Sequence, residues 1–239
     1  MDTIHSDIYK NVRFPEGTQN TRPYVFLNMV QSADGKATIE GKASRLGKDI
    51  DRSVMRTLRS RAHAVMVGGG TVRAEKLSLG LDAADTRPVP RAVILTNTGN
   101  VPLESNLVLD DRQDVLVFLP ESAENGAERR LGRLAEIRRV SATGSGAIDV
   151  AKALEIMKSE YGTDILLCEG GPKLNRALID AGLADELFVT MAPVLVGTNN
   201  SEEPRAIPQD RIGDPKSLCL ISSRVAGDEL FLRYSIGSR

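Results

Sequence analysis

Val65-Met-Val-Gly-Gly-Gly-Thr-Val-Arg73 and Ile165-Leu-Leu-Cys-Glu-Gly-Gly-Pro-Lys-Leu-Asn175 decide how this chain folds. Each is a short apolar run, then glycines, then a segment able to start a helix. A short apolar run bounded by glycine reads as a buried strand. Strand and helix in alternation build a mainly parallel sheet with helices on its faces. Glycine lets the backbone approach a phosphate closely, and a helix N-terminus adds unpaired N–H groups and a positive dipole end. In a parallel sheet both units open at the carboxyl ends of their strands, where ligands bind. Two such units favour a nucleotide or another phosphorylated ligand. Neither carries the Gly-Lys-Ser/Thr of a P-loop nor the spacing of a dinucleotide fingerprint, so an ordinary Rossmann domain is not supported.

Working outward, Pro23–Val30 is a continuous apolar strand, and Gln31–Lys36 is a polar loop in which Gly35 permits a tight turn. A second polar loop, Gly41–Gly47, carries Ser44 and Arg45. Asp49 caps a helix to about Ala62, with Ile50, Val54, Leu58 and Ala62 at helical spacing. Arg91–Leu95 and Val115–Leu119 are strands, the first closed by Thr96–Gly99. A polar helix is expected over Ser122–Ile137 and an amphipathic one over Asp149–Tyr161. Asp164–Cys168 is a strand, and the helix Lys173–Ala181 stops at Gly182. Glu186–Val196 is a long strand pattern broken at Pro193, residues 197–217 form an excursion or mobile loop, and Leu218–Arg224 with Glu229–Ile236 read as an antiparallel hairpin. The expected architecture is α/β, a mainly parallel sheet flanked by helices with a C-terminal antiparallel hairpin. Residues 22–239 read as one domain and residues 1–21 as an arm.

Composition narrows the chemistry. Lysine plus arginine is 31 against 32 aspartate plus glutamate, so no global field draws nucleic acid or an anionic membrane. The two cysteines, Cys168 and Cys219, stand in apolar runs far apart and read as reduced thiols of a cytoplasmic protein. His5 and His63 are the only histidines, too few for a zinc site or a Ser-His-Asp triad to be favoured, so no metal is expected. With no tryptophan, a stacking platform for single strands is disfavoured. No apolar stretch approaches a membrane span, and the N-terminus lacks the apolar core of a signal peptide.

A family becomes visible in Arg22-Pro-Tyr-Val, Ser32-Ala-Asp-Gly-Lys36, Leu58-Arg59 leading to Ala64-Val-Met-Val-Gly-Gly-Gly-Thr-Val, Arg87-Pro-Val-Pro-Arg91, the Glu169–Asn175 segment, Ala181–Leu187 and Ala192–Gly197. Together they resemble the reductase domain of riboflavin biosynthesis, which has a dihydrofolate reductase-like fold. It occurs as the C-terminal domain of a bacterial deaminase-reductase and as the archaeal and fungal diaminopyrimidine reductase. Order and spacing hold from about residue 22 to the end. The resemblance implies NADPH-dependent reduction of a ribosylaminopyrimidine 5′-phosphate to its ribitylamino form, by a homodimer.

It also implies roles. Lys36 and Glu169 match catalytic positions, and Asp34, Ser44 and Arg59, with Glu169, match substrate-binding ones. Gly69, Gly70, Thr71, Glu75, Thr96, Gly170, Gly171, Pro172, Lys173, Leu174 and Asn175 match cofactor contacts. Glu75-Lys-Leu replaces the aspartate, often Asp-Asp-Pro, usual after the Gly-Thr-Val segment. The arginine that helps hold the substrate phosphate has no clean counterpart in Leu77–Asp85, which leaves Arg73, Arg87 or Arg45. The zinc deaminase signature is absent from this sequence.

Hydride transfer needs no metal and no protein nucleophile. Glu169 can stabilise an iminium or exchange a proton, and Lys36 can bind the opening ribose or protonate its ring oxygen. Thr96–Gly99, with Arg91 or Arg73 in reach, can surround an adenosine 2′-phosphate. The same residues have plainer roles: Asp34 closing a turn, Arg45, Arg52, Arg56 and Arg59 as a solvated face, Cys168 as a small buried residue. Two other functions stay open, a reductase of this fold acting on another pterin- or pyrimidine-like substrate and a non-catalytic nucleotide-binding homologue. The apolar alternation of Glu186–Val196 fits a strand that is either central and covered on both faces or at an interface; with the terminal hairpin beside it and the homodimer that the resemblance implies, a contact between two copies of the chain is expected.

Overall fold

The apolar runs become strands and the amphipathic stretches helices in the computed structural model, which describes residues 8–15, 21–75, 78–102, 111–124, 126–132, 134–197, 204–205 and 215–237. In chain order these are β1 (Tyr24–Ser32), α1 (Asp49–Arg59), β2 (Ala64–Gly68), α2 (Gly69–Ala74), β3 (Arg91–Leu95), β4 (Val115–Pro120), α3 (Ala127–Leu131), β5 (Glu136–Val140), α4 (Val150–Ser159), β6 (Ile165–Cys168), α5 (Pro172–Asp180), β7 (Glu186–Ala192), β8 (Leu218–Ala226) and β9 (Glu229–Ile236). The chain divides into two units, one made of Met1–Arg13, Val25–Leu58 and Cys168–Arg239, the other of Phe14–Tyr24 and Arg59–Leu167.

In the second unit the strands run β5-β4-β3-β2-β6. The pairs β2–β3, β3–β4 and β4–β5 are all parallel. Every residue of β4 is buried, as expected of a parallel strand covered on both faces. Met66, Ile94, Leu116 and Phe118 fill the core, and α4 adds Ala153, Leu154 and Met157. Asp149 caps α4 by accepting the Lys152 N–H at 3.1 Å. His63 is a backbone clamp: its Nδ1 accepts the N–H groups of Asp164 and Ile165, each at 3.2 Å. His5 lies outside the described residues.

One element differs from expectation. The helix predicted over 122–137 is only the single turn of α3, and Glu136–Val140 is a strand paired in parallel with β4. Its arginines concealed it. Arg138 and Arg139 reach back to Glu160 and Glu128, so a polar sequence is tolerated at this sheet edge, and pairing overrides local propensity. The helix α1 likewise stops at Arg59, before the predicted Ala62.

In the first unit the order is β1-β7-β9-β8. β7 lies parallel to β1 and antiparallel to β9, and β8 closes the hairpin. β7 ends at Ala192, immediately before Pro193, whose nitrogen cannot donate to a ladder. Phe188 turns inward against Phe26, with ring centroids 5.5 Å apart. Within the arm, Ile8 and Val12 are buried and the Tyr9 ring meets Phe188 edge-on at 4.9 Å. The predicted α/β class with its antiparallel ending is therefore what forms. Of the 197–217 excursion, residues 198–203 and 206–214 lie outside the described residues.

Candidate active site

The first unit builds one half of the candidate residues around the end of β1. Gly35 (φ +81°) lets the chain turn back, and its N–H reaches the Ser32 carbonyl at 2.9 Å. Ser32 then holds the turn from both sides: its hydroxyl donates to Asp34 at 2.6 Å and accepts the Lys36 N–H at 2.8 Å. Asp34 also accepts the N–H groups of Val196 and Gly197, at 3.1 and 2.8 Å. The Ser32 hydroxyl first, then those two amides, hold its carboxyl well below the usual carboxylate range. Asp34 is thus engaged as a clamp between two loops. Lys36, only 7% exposed, follows directly. Among the described residues no carboxylate or other acceptor is paired with its ammonium. An ammonium with no protein acceptor is available to the oxygens of a ligand. Ser44 lies exposed in a single 3-10 turn, beside the Arg45–Glu40 ion pair.

The same unit holds the Glu169–Asn175 segment. Glu169 is half-buried at the end of β6. Gly170 has φ +88°, a conformation that only glycine adopts freely, and a Cβ there would meet Met29 Sδ at 3.4 Å. The Gly170–Gly171 peptide is cis. Gly171 caps α5 with no side chain in the way, and Pro172 stands where a missing N–H does no harm. Lys173 is exposed on this first turn, whereas Leu174 and Asn175 are buried. Asn175 donates to Met29 Sδ at 3.0 Å and faces the Cys168 thiol, so its side chain braces the loop. Burial pushes that thiol up to about 12, which fits an inert core cysteine.

The second unit holds the remaining candidates. Gly68 and Leu95 are register partners on β2 and β3, so Gly69 and Thr96 emerge side by side at the carboxyl ends of these strands. They touch: a Cβ on Gly69 would lie 2.7 Å from Thr96 Cβ. Thr71 and Glu75 sit one turn apart, the Glu75 N–H on the Thr71 carbonyl at 3.0 Å. Gly70 is exposed beside them. Arg73 donates to the Asn100 carbonyl at 3.1 Å and Arg130 to the Gly99 carbonyl at 2.5 Å, so two cations flank the 96–100 loop. Arg130 carries no local sequence signal, because α3 brings it there. Arg91 does not take part. It starts β3, roughly 16 Å of extended chain from Thr96, where it pairs with Asp114 and stacks on Tyr161 at 4.6 Å. Arg59 is no solvated helical residue: it is 4% exposed and donates to the Gly80 carbonyl at 3.2 Å.

Residues 23–230 match the model of the RibD C-terminal domain. This chain belongs to the RibD C-terminal domain family. It is 29% identical over 220 residues to the 2,5-diamino-6-ribosylamino-4(3H)-pyrimidinone 5′-phosphate reductase of Methanothermobacter thermautotrophicus, covering 90% of this chain and 99% of that protein. The protein of the same name from Archaeoglobus fulgidus is 31% identical over 190 residues, 75% of this chain and 84% of its own. Among solved structures, Acinetobacter baumannii RibD superposes with a TM-score of 0.74 at 23% identity, over 91% of this chain. This chain spans 59% of that one, and the likeness shows that the RibD-family fold is shared.

Proposed function

We propose that this protein is the NADPH-dependent reductase that converts a ribosylaminopyrimidine 5′-phosphate to its ribitylamino form in riboflavin biosynthesis. Its membership of the RibD C-terminal domain family and the names of two relatives support the reading. The observation that carries it is Lys36, a largely buried lysine whose ammonium has no partner among the described residues, at the end of a strand in the unit that also holds Glu169.

The residues present fit a dinucleotide. The start of α5 is uncapped by any side chain, which leaves its first N–H groups open to a phosphate. Gly170 to Asn175 would hold the pyrophosphate, Asn175 by bracing the loop. When bound, a reduced nicotinamide supplies the hydride. Lys36 donates hydrogen bonds to the ribose oxygens, which strengthen as the ring opens and oxygen gains charge. Glu169 exchanges the proton that the reduced substrate takes up. Ser44, in the unit that holds Lys36, orients the substrate. The test is NADPH oxidation with the deaminated and the non-deaminated ribosylaminopyrimidine phosphates; no turnover of either overturns the reading.

Arg73 and Arg130 beside the 96–100 loop lead us to expect NADPH to bind at least tenfold more tightly than NADH, because charged donors reward a 2′-phosphate over a hydroxyl. Fluorescence titration should show this gap shrinking in Arg130→Ala. Equal affinities in the wild type would contradict it.

The protein acts as a homodimer in the cytoplasm, where Cys168 and Cys219 stay reduced, with no nucleic acid or membrane as partner. No helix among the described residues is long and apolar enough to cross a membrane. One face of the β1-β7-β9-β8 sheet supports the dimer: Met29, Val189, Met191 and Leu232 line a cleft of about 410 Å³. Leu218 and Leu220 on β8 are 44% and 53% exposed. An apolar face beside a strand edge unpaired among the described residues is an aggregation hazard that a two-fold copy removes. Light scattering should give twice the 25.8 kDa chain mass, and Val189→Asp should separate the subunits. A 25.8 kDa particle at micromolar wild-type concentration would sink the dimer.

A further inference from the structure

For a substrate phosphate the sequence leaves Arg73, Arg87 or Arg45, and each has a protein partner. Arg73 donates to the Asn100 carbonyl, Arg87 donates to Asp85 through Nε at 2.9 Å and through Nη2, and Arg45 pairs with Glu40. A fourth arginine does not. Arg205 belongs to the stretch 204–205, which returns against the turn after β1. The Ala37 N–H donates to the Pro204 carbonyl at 2.8 Å, and Lys36 and Arg205 are antiparallel bridge partners. Directly opposed residues of an antiparallel pair send their side chains to one face, with Cβ atoms about 4.5–5.5 Å apart. The Arg205 guanidinium lies over Gly35, where a Cβ would be 3.4 Å from Nη1. Gly35 and Arg205 also line the cleft of Met29, Val189 and Met191, at the end where β1 and β7 finish.

We propose that Arg205, bridged to Lys36, holds the phosphate monoester of the substrate. This rests on the substrate class given above. Like charges set directly opposite each other repel, and an anion placed between them turns the repulsion into two attractions. No protein group plays that part. Among the described residues the Arg205 guanidinium has no hydrogen bond or ion pair, and neither has the Lys36 ammonium. Asp34, two residues before Lys36, gives its oxygens to Ser32, Val196 and Gly197. A phosphate suits Arg205 because a guanidinium offers two parallel N–H donors to two phosphate oxygens. Lys36 is left for the ribose, which is joined to its 5′-phosphate by few bonds, so two neighbouring cations grip both. The phosphate keeps its charge throughout the reduction. Arg205 therefore sets which substrate is taken rather than how fast hydride moves.

Steady-state kinetics with a ribosylaminopyrimidine 5′-phosphate and with its dephosphorylated riboside test the role. Wild-type kcat/KM should be higher for the phosphorylated substrate. Arg205→Ala should lower that value by about 10–100-fold, mostly through KM, and the value for the riboside by less than about threefold, so the preference collapses. Arg205→Lys should recover only part of it, because the charge returns without the fork. Equal losses for both substrates, or no loss for either, overturn the proposal. Light scattering should give Arg205→Ala the wild-type mass; a changed mass makes Arg205 a contact between copies and overturns it too. A second measurement needs no turnover. In the ligand-free protein, the Arg205 Nε–H resonance, assigned by its absence in Arg205→Ala, should shift and saturate as inorganic phosphate is added, and the shift should weaken in Lys36→Ala. A resonance unmoved by phosphate overturns the site, whatever the enzyme turns over. A wild type that reduces neither substrate while this resonance responds refutes the functional reading and leaves the anion site standing.

Discussion

Lys36→Ala and Glu169→Gln should each lower kcat by about 10²–10⁴-fold, the range of positioned acid–base and electrostatic groups, while the fold and cofactor binding persist. The two losses have different origins. The Lys36 ammonium has no partner among the described residues, so its worth is realised only when substrate oxygens reach it. Truncating it removes the interaction that strengthens as the ribose opens. Its backbone should stay in place, because Ser32 and Asp34 hold the turn through their own bonds. Glu169→Gln keeps the shape but cannot exchange a proton, so its loss should be steepest where proton supply limits the rate. Circular dichroism and cofactor titration check that each variant remains folded and competent to bind. Near-wild-type kcat in either variant would return that residue to a structural role.

Gly69→Ala should destabilise the protein and weaken cofactor binding at least tenfold, while Gly70→Ala should do neither. Both glycines lie in α2, so both gain the same helix propensity from alanine, about 1 kcal/mol. The difference is steric. The new methyl at Gly69 would sit 2.7 Å from Thr96 Cβ and 2.8 Å from its hydroxyl, and Thr96 is 5% exposed, with little room to move. At Gly70 the nearest atom, 4.0 Å away, is the flexible end of Arg73. Overpacking of this kind costs about 1–3 kcal/mol. In a chain this long each kcal/mol lowers Tm by about 2–4 °C. Because Thr96 is one of the proposed cofactor contacts, its displacement should appear in NADPH titration as well as in the melt. Indistinguishable Gly69→Ala and Gly70→Ala variants would mean that the two strand ends do not form one surface.

Several features were legible in the residues because their cause is local. Val65–Val67 and Ile165–Cys168 are unbroken apolar runs, and a strand buried on both faces needs nothing else. Gly35 and Gly170 occupy positive-φ positions that other residues enter at a penalty, so their places in the turns were set by the backbone alone. Pro193 had to end β7, because it cannot donate. The motifs that resemble the RibD reductase domain are likewise contiguous segments, and the family match covers them.

What only the tertiary structure decided is where long side chains go and which edges find partners. Glu136–Val140 looked helical because its arginines hid an edge strand that exists only through pairing with β4. Arg59 looked solvated, yet it is sequestered at the Gly80 carbonyl by a segment that follows in the chain. Arg130 reached the Gly99 carbonyl, and Arg91 was carried to the other end of its strand. Periodicity along a chain reports which face of an element is apolar. The burial of a charge depends on elements distant in sequence, and that is settled only when they pack.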